Sequence, residues 1–226
     1  MAETVKRRRY DSSGRRNESR QTRQRIIGAA RDLIIELGYR ATAVSDIAER
    51  AGVHVDTVYQ LVGRKPVLLR ELIEQAISGT DQPVDAEQRG YVRAIRAEPD
   101  PAGKLAIYAH AVREVQERLA PLFLALRDAS TTEPEAGQVW HQIAERRAAN
   151  MRLLVNELHE AGGLRRGLSL DEAADTIWVT NSSEVFTMLT AGRGWSPDRY
   201  ERWLATTWCR LLLREGRTSA VSSGRV

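Results

Sequence analysis

The chain has 226 residues, 42% of them apolar and 28% charged, with a net charge of +4. That length suffices for one large core, or for a small domain joined to a larger one. The single cysteine, Cys209, excludes an internal disulfide, and the longest apolar run, Leu119 to Leu126, is far too short to span a bilayer.

In chain order, the first feature is charge. Residues 1–25 hold nine Lys/Arg against three Asp/Glu, a local balance of +6 within a total of +4. A basic arm on a near-neutral body points to a polyanion partner; the alternative is a solvated, disordered tail. Residues 1–20 read as a disordered basic arm, and the basic start is not followed by the apolar run of a secretory signal. The protein is expected in the cytoplasm, associated with the nucleoid and with no membrane.

From Thr22 the chain reads helical, and strand-like alternation is absent. Ile26, Ile27, Ala30, Leu33, Ile34 and Leu37 fall on one helical face, with Thr22 as N-cap and Gly38 as the stop. Further starts are marked by Asp100-Pro101, by the capping-box spacings Thr132 to Glu135 and Ser169 to Glu172, and by Ser196-Pro197. Ala161 to Gly163 closes a long helix, and 215–226 read as a disordered tail. The layout is all-α, about nine helices in two blocks: a helix-turn-helix domain at 21–66 and a larger helical bundle at 67–214.

The stretch "AERAGVHVDTVYQLVGRKPVLL", Ala48 to Leu69, carries the sharpest signal. Two helices that cross steeply need a small residue at the contact and a sharp turn between them. Ala48 supplies the first, and Gly52, which takes positive φ at little cost, supplies the second. Val44, Ile47, Ala51, Val53, Val58 and Leu61 fit one shared core. The spacing is that of a DNA-binding helix-turn-helix, with polar or aromatic residues (His54, Asp56, Thr57, Tyr59, Gln60) left outward on the second helix. An ordinary helical hairpin with a C-cap glycine is the plainer alternative.

Here the chain resembles the TetR-type transcriptional regulators, from about Thr22 to Ala76. The likeness rests on Gly38-Tyr39, on Ile47, Ala48, Ala51, Gly52 and Val53, on Thr57 and Tyr59, and on Lys65. It implies that Tyr59 and Lys65 grip phosphates, and that Ser45, Val55, Asp56 and Gln60 face bases, with Thr57 beside them. The family has Thr where Ala43 stands, which makes Thr42 the nearest substitute hydroxyl. It has an aromatic at Val62 and a Pro/Ser pair at Gly63 and Arg64, so Arg64 adds a candidate phosphate contact. Asp56 facing DNA would repel phosphate, so it is expected either to accept from a cytosine amino group or, preferably, to cap the recognition helix.

In the larger block, Leu105, Tyr108, Ala109, Val112, Val115, Gln116 and Leu119 share one helix face. Trp140, Ile143, Arg147, Met151, Leu154 and Leu158 form a stripe on the next. Arg147 and nearby Asn150 interrupt that apolar face. Either Arg147 snorkels or pairs with a glutamate, or it belongs to a ligand pocket with Tyr108, Phe123, Trp140, Asn150, Trp178 and Asn181. The stretch 169–213 loosely resembles the family's last two helices. The resemblance implies a two-fold dimer interface there, with Val185, Met188, Leu189, Trp203, Leu204, Trp208 and Leu211 as candidates, although such faces suit a monomer core equally.

Enzyme signatures are missing: there is no phosphate-binding loop, no dinucleotide fingerprint, no HExxH and no GxSxG. No histidine follows a glutamate at the di-iron spacing. The reading is therefore a regulator without enzymatic activity, cofactor or metal. It is expected to be a ligand-responsive repressor that binds a palindromic double-stranded DNA operator as a homodimer and senses an unknown small molecule. The alternative is a helical small-molecule carrier or adaptor whose basic arm is incidental.

Overall fold

The computed structural model describes residues 12–80, 84 and 86–214. Among them it holds ten α-helices and a short 3-10 turn: α1 (Ser12–Leu37), α2 (Val44–Ala51), α3 (Val55–Leu61), α4 (Lys65–Ser78), α5 (Gly90–Ala97), α6 (Pro101–Ser130), α7 (Pro134–Glu160), α8 (Leu170–Thr180), α9 (Ser183–Thr190) and α10 (Pro197–Leu212). The chain divides into two compact units after Leu69. The expected boundary, at 66/67, falls three residues earlier.

In the first unit α1 packs on α2 and α3. Ile26, Ala30, Leu33 and Ile34 of α1 close over Ile47, Ala48 and Val58, all buried. The helix starts at Ser12, so residues 12–20 are helical rather than disordered, and Thr22 lies inside α1 instead of capping it. That segment, SSGRRNESR, has no apolar stripe and few strong helix formers, so neither periodicity nor propensity gives a sign of it; it continues the helix whose apolar face at Ile26 to Ile34 is buried. Residues 1–11 and 215–226, expected as disordered termini, lie outside the described residues. Gly38 ends α1 at φ +83 as expected.

The second unit is built around α6, which packs against α5, α7, α9 and α10, while α8 lies on α7. Its core joins Leu105, Val112, Leu158, Ile177, Tyr200 and Trp208, with Tyr108 stacked on Trp208 at 5.5 Å between ring centroids. The polar tips of Tyr200 and Trp208 are satisfied. Tyr200 Oη donates to the Thr180 carbonyl at 3.0 Å, and Trp208 Nε1 donates to Thr180 Oγ1 at 2.7 Å. Asp100, Ser169 and Ser196 cap α6, α8 and α10 as the sequence indicates. The expected cap at Thr132 is displaced: Glu133 is the N-cap of α7 and makes no side-chain cap bond.

The count is ten helices rather than nine because 169–190 is two helices, not one. Asn181 turns its side chain into the core, and its carbonyl accepts from Gln116 Nε2 at 2.6 Å instead of from the next helical turn. Ser182 Oγ then caps α9 by accepting from the Val185 N–H at 3.2 Å. Two buried polar residues thus break a pattern that hydrophobicity alone reads as continuous.

Candidate functional sites: an outward helix face and a buried cavity

The turn between α2 and α3 follows from Gly52, at φ +66. The Val53 N–H donates to the Ala48 carbonyl at 3.0 Å and the Gly52 N–H to Glu49 at 3.1 Å, which closes α2 in a Schellman turn. Ala48 and Ala51 are buried, and their small side chains let α3 come close. Val58 is the inward anchor of α3. Everything opposite it faces out: Val55, Asp56, Tyr59 and Gln60 are exposed, with Tyr59 at 48%. Ser45, at the start of α2, and Arg64 are exposed as well, and Thr57 is half-buried.

Lys65 opens α4, and its Nζ lies 4.1 Å above the ring of buried Tyr39. The Gly38-Tyr39 pair after α1 therefore has a physical use: the ring holds the ammonium by a cation–π contact beside a helix N-terminus, where backbone N–H groups already favour an anion. Arg15, Arg16 and Arg20 are exposed along the first turns of α1. A helix face of this composition, flanked by cations at its edges, can meet base edges with Gln60 and Ser45 and phosphates with Tyr59, Arg64 and Lys65.

Two expectations for this surface are corrected. Thr42 is only 1% exposed, and its hydroxyl donates to the Gly38 carbonyl at 2.8 Å, so it does not replace a hydroxyl at Ala43. Asp56 does not cap α3. The N-cap is His54, without a side-chain bond, and Asp56 stands exposed in the first helical turn, where its charge complements the helix dipole.

The second unit holds a cavity of about 160 Å³. Its walls are largely apolar, from Ile95, Val112, Leu119, Phe123, Ile143 and Leu154. Five of the expected ligand residues line it: the apolar Phe123 and the polar Tyr108, Arg147, Asn150 and Asn181. They are connected. Asn181 Nδ2 donates to Tyr108 Oη at 2.9 Å, and Arg147 Nη2 donates to Asn181 Oδ1 at 2.9 Å. Ser183 Oγ donates to Gln116 Oε1 at 2.8 Å, so the polar wall continues onto α9. Burial pushes the Tyr108 phenol well above the ordinary tyrosine range and pulls the Arg147 guanidinium down from its usual value.

Neither tryptophan expected in the pocket lines it. Trp178 lies under Arg147, with the guanidinium 4.7 Å from the ring, and its carbonyl accepts a hydrogen bond from Arg147 Nη2. Trp140 packs edge-on to His141 at 5.0 Å. Both indole N–H groups are buried without a hydrogen-bond partner among the described residues. The expectation that Arg147 pairs with a glutamate also fails, since its partners are Asn181 and Trp178. The sequence reading missed Arg89, Arg96, Arg146 and Glu157 at the cavity. The signal available for it was the doubled arginine at 146–147, one of which must interrupt the apolar stripe.

The proposed interface residues separate into two groups. Leu204 and Trp208 are 0% exposed and belong to the core, so they are withdrawn from any interface. Met188 and Leu211 are exposed, at 63% and 43%, while Val185, Leu189 and Trp203 are half-buried. On α10, residues four apart fall on one face. Leu204, Trp208 and Leu212 share the buried face, and Leu211 lies off it.

The first unit is a helix-turn-helix domain of the DNA-binding kind. The model of "Bacterial regulatory proteins, tetR family" matches residues 26–72, which span α2 and α3 and parts of α1 and α4. The chain is 39% identical over 56 residues to the "Uncharacterized HTH-type transcriptional regulator YvkB" of Bacillus subtilis (strain 168). That match spans 25% of this chain and 30% of the relative's length. The fold of both units is shared with solved regulators. NalD of Pseudomonas aeruginosa, the secondary repressor of the MexAB-OprM multidrug efflux pump, superposes with a TM-score of 0.69 at 22% identity, over 87% of this chain and 99% of that one. FadR of Bacillus subtilis, in complex with stearoyl-CoA, gives 0.67 at 22% identity over 82% and 97%. The fatty acid degradation regulator FadR of Bacillus halodurans gives 0.65 at 21% over 83% and 94%. No described helix is long and apolar enough to cross a membrane, and no described cluster of His, Cys, Asp and Glu is arranged to hold a metal ion.

Proposed function

We propose that this protein is a ligand-responsive transcriptional repressor that binds a palindromic DNA operator as a homodimer, without enzymatic activity. The observation that carries the reading is the outward face of α3. Tyr59, Gln60 and Val55 are exposed on a helix anchored by Val58, with Lys65 held at its edge by Tyr39. Ser45, Val55 and Gln60 read bases; Tyr59, Arg64 and Lys65 hold phosphates. Two copies would place their α3 helices in half-sites about one DNA turn, ~34–36 Å, or a multiple apart.

The cavity of the second unit is the effector site. NalD and the FadR proteins share the fold, and one FadR carries stearoyl-CoA, which supports the cavity as a place for a small molecule. Effector binding acts through the later turns of α4. Arg146, which lines the cavity, bonds Glu74 of α4 at 2.5 Å, and Arg118 Nε donates to the Ala76 carbonyl at 3.1 Å. An effector works only by its difference in affinity for two states of the protein.

The test is footprinting of the purified protein on fragmented genomic DNA, followed by retardation of the recovered fragments. A protected palindrome with two half-sites, bound well above random duplex, is the expected result. Equal retention of all sequences would overturn the reading.

A further inference from the structure

We infer that the small molecule taken by this cavity is an amphipathic carboxylate, an apolar body whose head group pairs with Arg147. This deepens the effector reading above and rests on it.

Among the described residues Arg147 is a cation without an ion-pair partner. It sits on α7 among apolar residues, and its side chain is bonded only to dipoles: Asn181 Oδ1 at 2.9 Å and the Trp178 carbonyl. The Trp178 ring covers one face at 4.7 Å. No carboxylate among the described residues forms an ion pair with it. Glu184, the described carboxylate whose field reaches it along with the phenols of Tyr108 and Tyr200, is itself bonded to Arg127 at 3.4 Å. Its Nη1 makes no hydrogen bond among the described residues, which leaves donor capacity on a group that lines the cavity.

The neighbouring arginines make the contrast. Arg146 has Glu74, and Arg96 has Glu87 and Glu157, each at 3.6 Å. Both glutamates that line the cavity are thus already engaged by Arg96. Arg89, also in the lining, has a buried Nε with no partner among the described residues. Four arginines against two glutamates leave the described lining residues at a net +2. A partly buried charge without a partner is costly, and a ligand carboxylate supplies the missing one with two charge-assisted hydrogen bonds. A quaternary ammonium finds no free carboxylate among the described lining residues. The apolar wall from Val112, Leu119 and Phe123 takes the body of the ligand.

The experiment is calorimetric titration of the DNA-free full chain with octanoate, octanol and octyltrimethylammonium, three molecules with one tail and three heads. Octanoate should bind at least about tenfold more tightly than octanol, and the ammonium most weakly. Arg147→Gln should bring octanoate down to the level of octanol. Asn181→Asp is the second variant, because it places a carboxylate on the guanidinium with almost no change of shape. It should abolish the same preference and raise thermal stability, so an unfolded Arg147→Gln protein leaves the question answerable. Equal binding of the three by the unmodified chain, binding of none of them, a preference for the ammonium, or a carboxylate preference that survives Asn181→Asp would each overturn the inference. DNA retardation by the same preparation is a separate readout. Its failure would sink the repressor reading while leaving the head-group preference measured.

Discussion

Arg23 of α1 donates from Nε to the carbonyl of Leu61, the last residue of α3, at 3.1 Å. That carbonyl is one of the four that a helix leaves without an internal partner, and a cation there also answers the negative end of the dipole. A residue that composition alone would count with the basic arm is thus a structural clamp on the recognition helix. Arg23→Ala should lower the stability of the protein by about 1 kcal/mol. It should weaken DNA binding by loosening α3, yet leave the slope of log K against log salt where it was. A slope reduced by about 0.9, the signature of one lost phosphate contact, would show that Arg23 meets DNA instead.

Much of this was legible in the sequence, for reasons that differ by region. The α2–α3 turn was readable because Gly52 must take positive φ and Ala48 must be small, both one-residue requirements. The caps at Asp100, Ser169 and Ser196 were readable for the same local reason. What escaped was decided across the fold. Arg23 finds its partner 38 positions away, and Asn181 breaks a helix for the sake of Tyr108, Gln116 and Arg147. Leu204 and Leu211 look alike in an amphipathic pattern, and only the neighbours of α10 decide which one is covered.

The face of α3 allows base and phosphate roles to be told apart. Tyr59→Phe and Lys65→Ala should weaken operator and random duplex by a similar factor, because phosphate contacts carry no sequence information. Gln60→Ala should relax preference at one base pair in each half-site, by roughly 1–3 kcal/mol if the contact is bidentate. Affinities on a set of single-substituted operators measure both. A loss confined to one base pair on altering Lys65 would reverse the assignment.

The buried tyrosines set an alkaline limit. Burial raises the phenol of Tyr108, with the neighbouring Tyr91 adding to it, and burial likewise raises that of Tyr200. Each folded pKa stands above the unfolded value of about 10, so the folded state holds its proton longer. The stabilisation is complete below about pH 10 and is lost as pH rises from there toward the folded values, by about 1.4 kcal/mol per pH unit for each tyrosine. The urea midpoint should be flat across neutral pH and fall steeply above about pH 10. Tyr108→Phe with Tyr200→Phe should cost stability at neutral pH, through the lost bonds to Met151 and Thr180, while flattening the alkaline limb. An unchanged limb in the double variant would place the titrating groups elsewhere.

The last two helices offer a test that separates interface from core. Leu204 and Trp208 have no exposed surface, whereas Met188 and Leu211 present theirs to solvent. Leu204→Glu buries a charge without a partner and should unfold the second unit, with loss of helical circular dichroism and a cost of several kcal/mol. Met188→Glu and Leu211→Glu touch no core and should leave helicity and thermal midpoint nearly unchanged. If α9 and α10 join two copies across a two-fold axis, each new carboxylate lies close to its own symmetry mate. Sedimentation should then report monomers for the Met188→Glu, Leu211→Glu double variant, at concentrations where the unmodified chain is a dimer. Operator affinity should fall with dimerisation, since one helix-turn-helix reads only a half-site. A folded dimer in the double variant would move the interface to another face of the second unit. Unfolding of that variant would mean that Met188 and Leu211 are covered within the protomer.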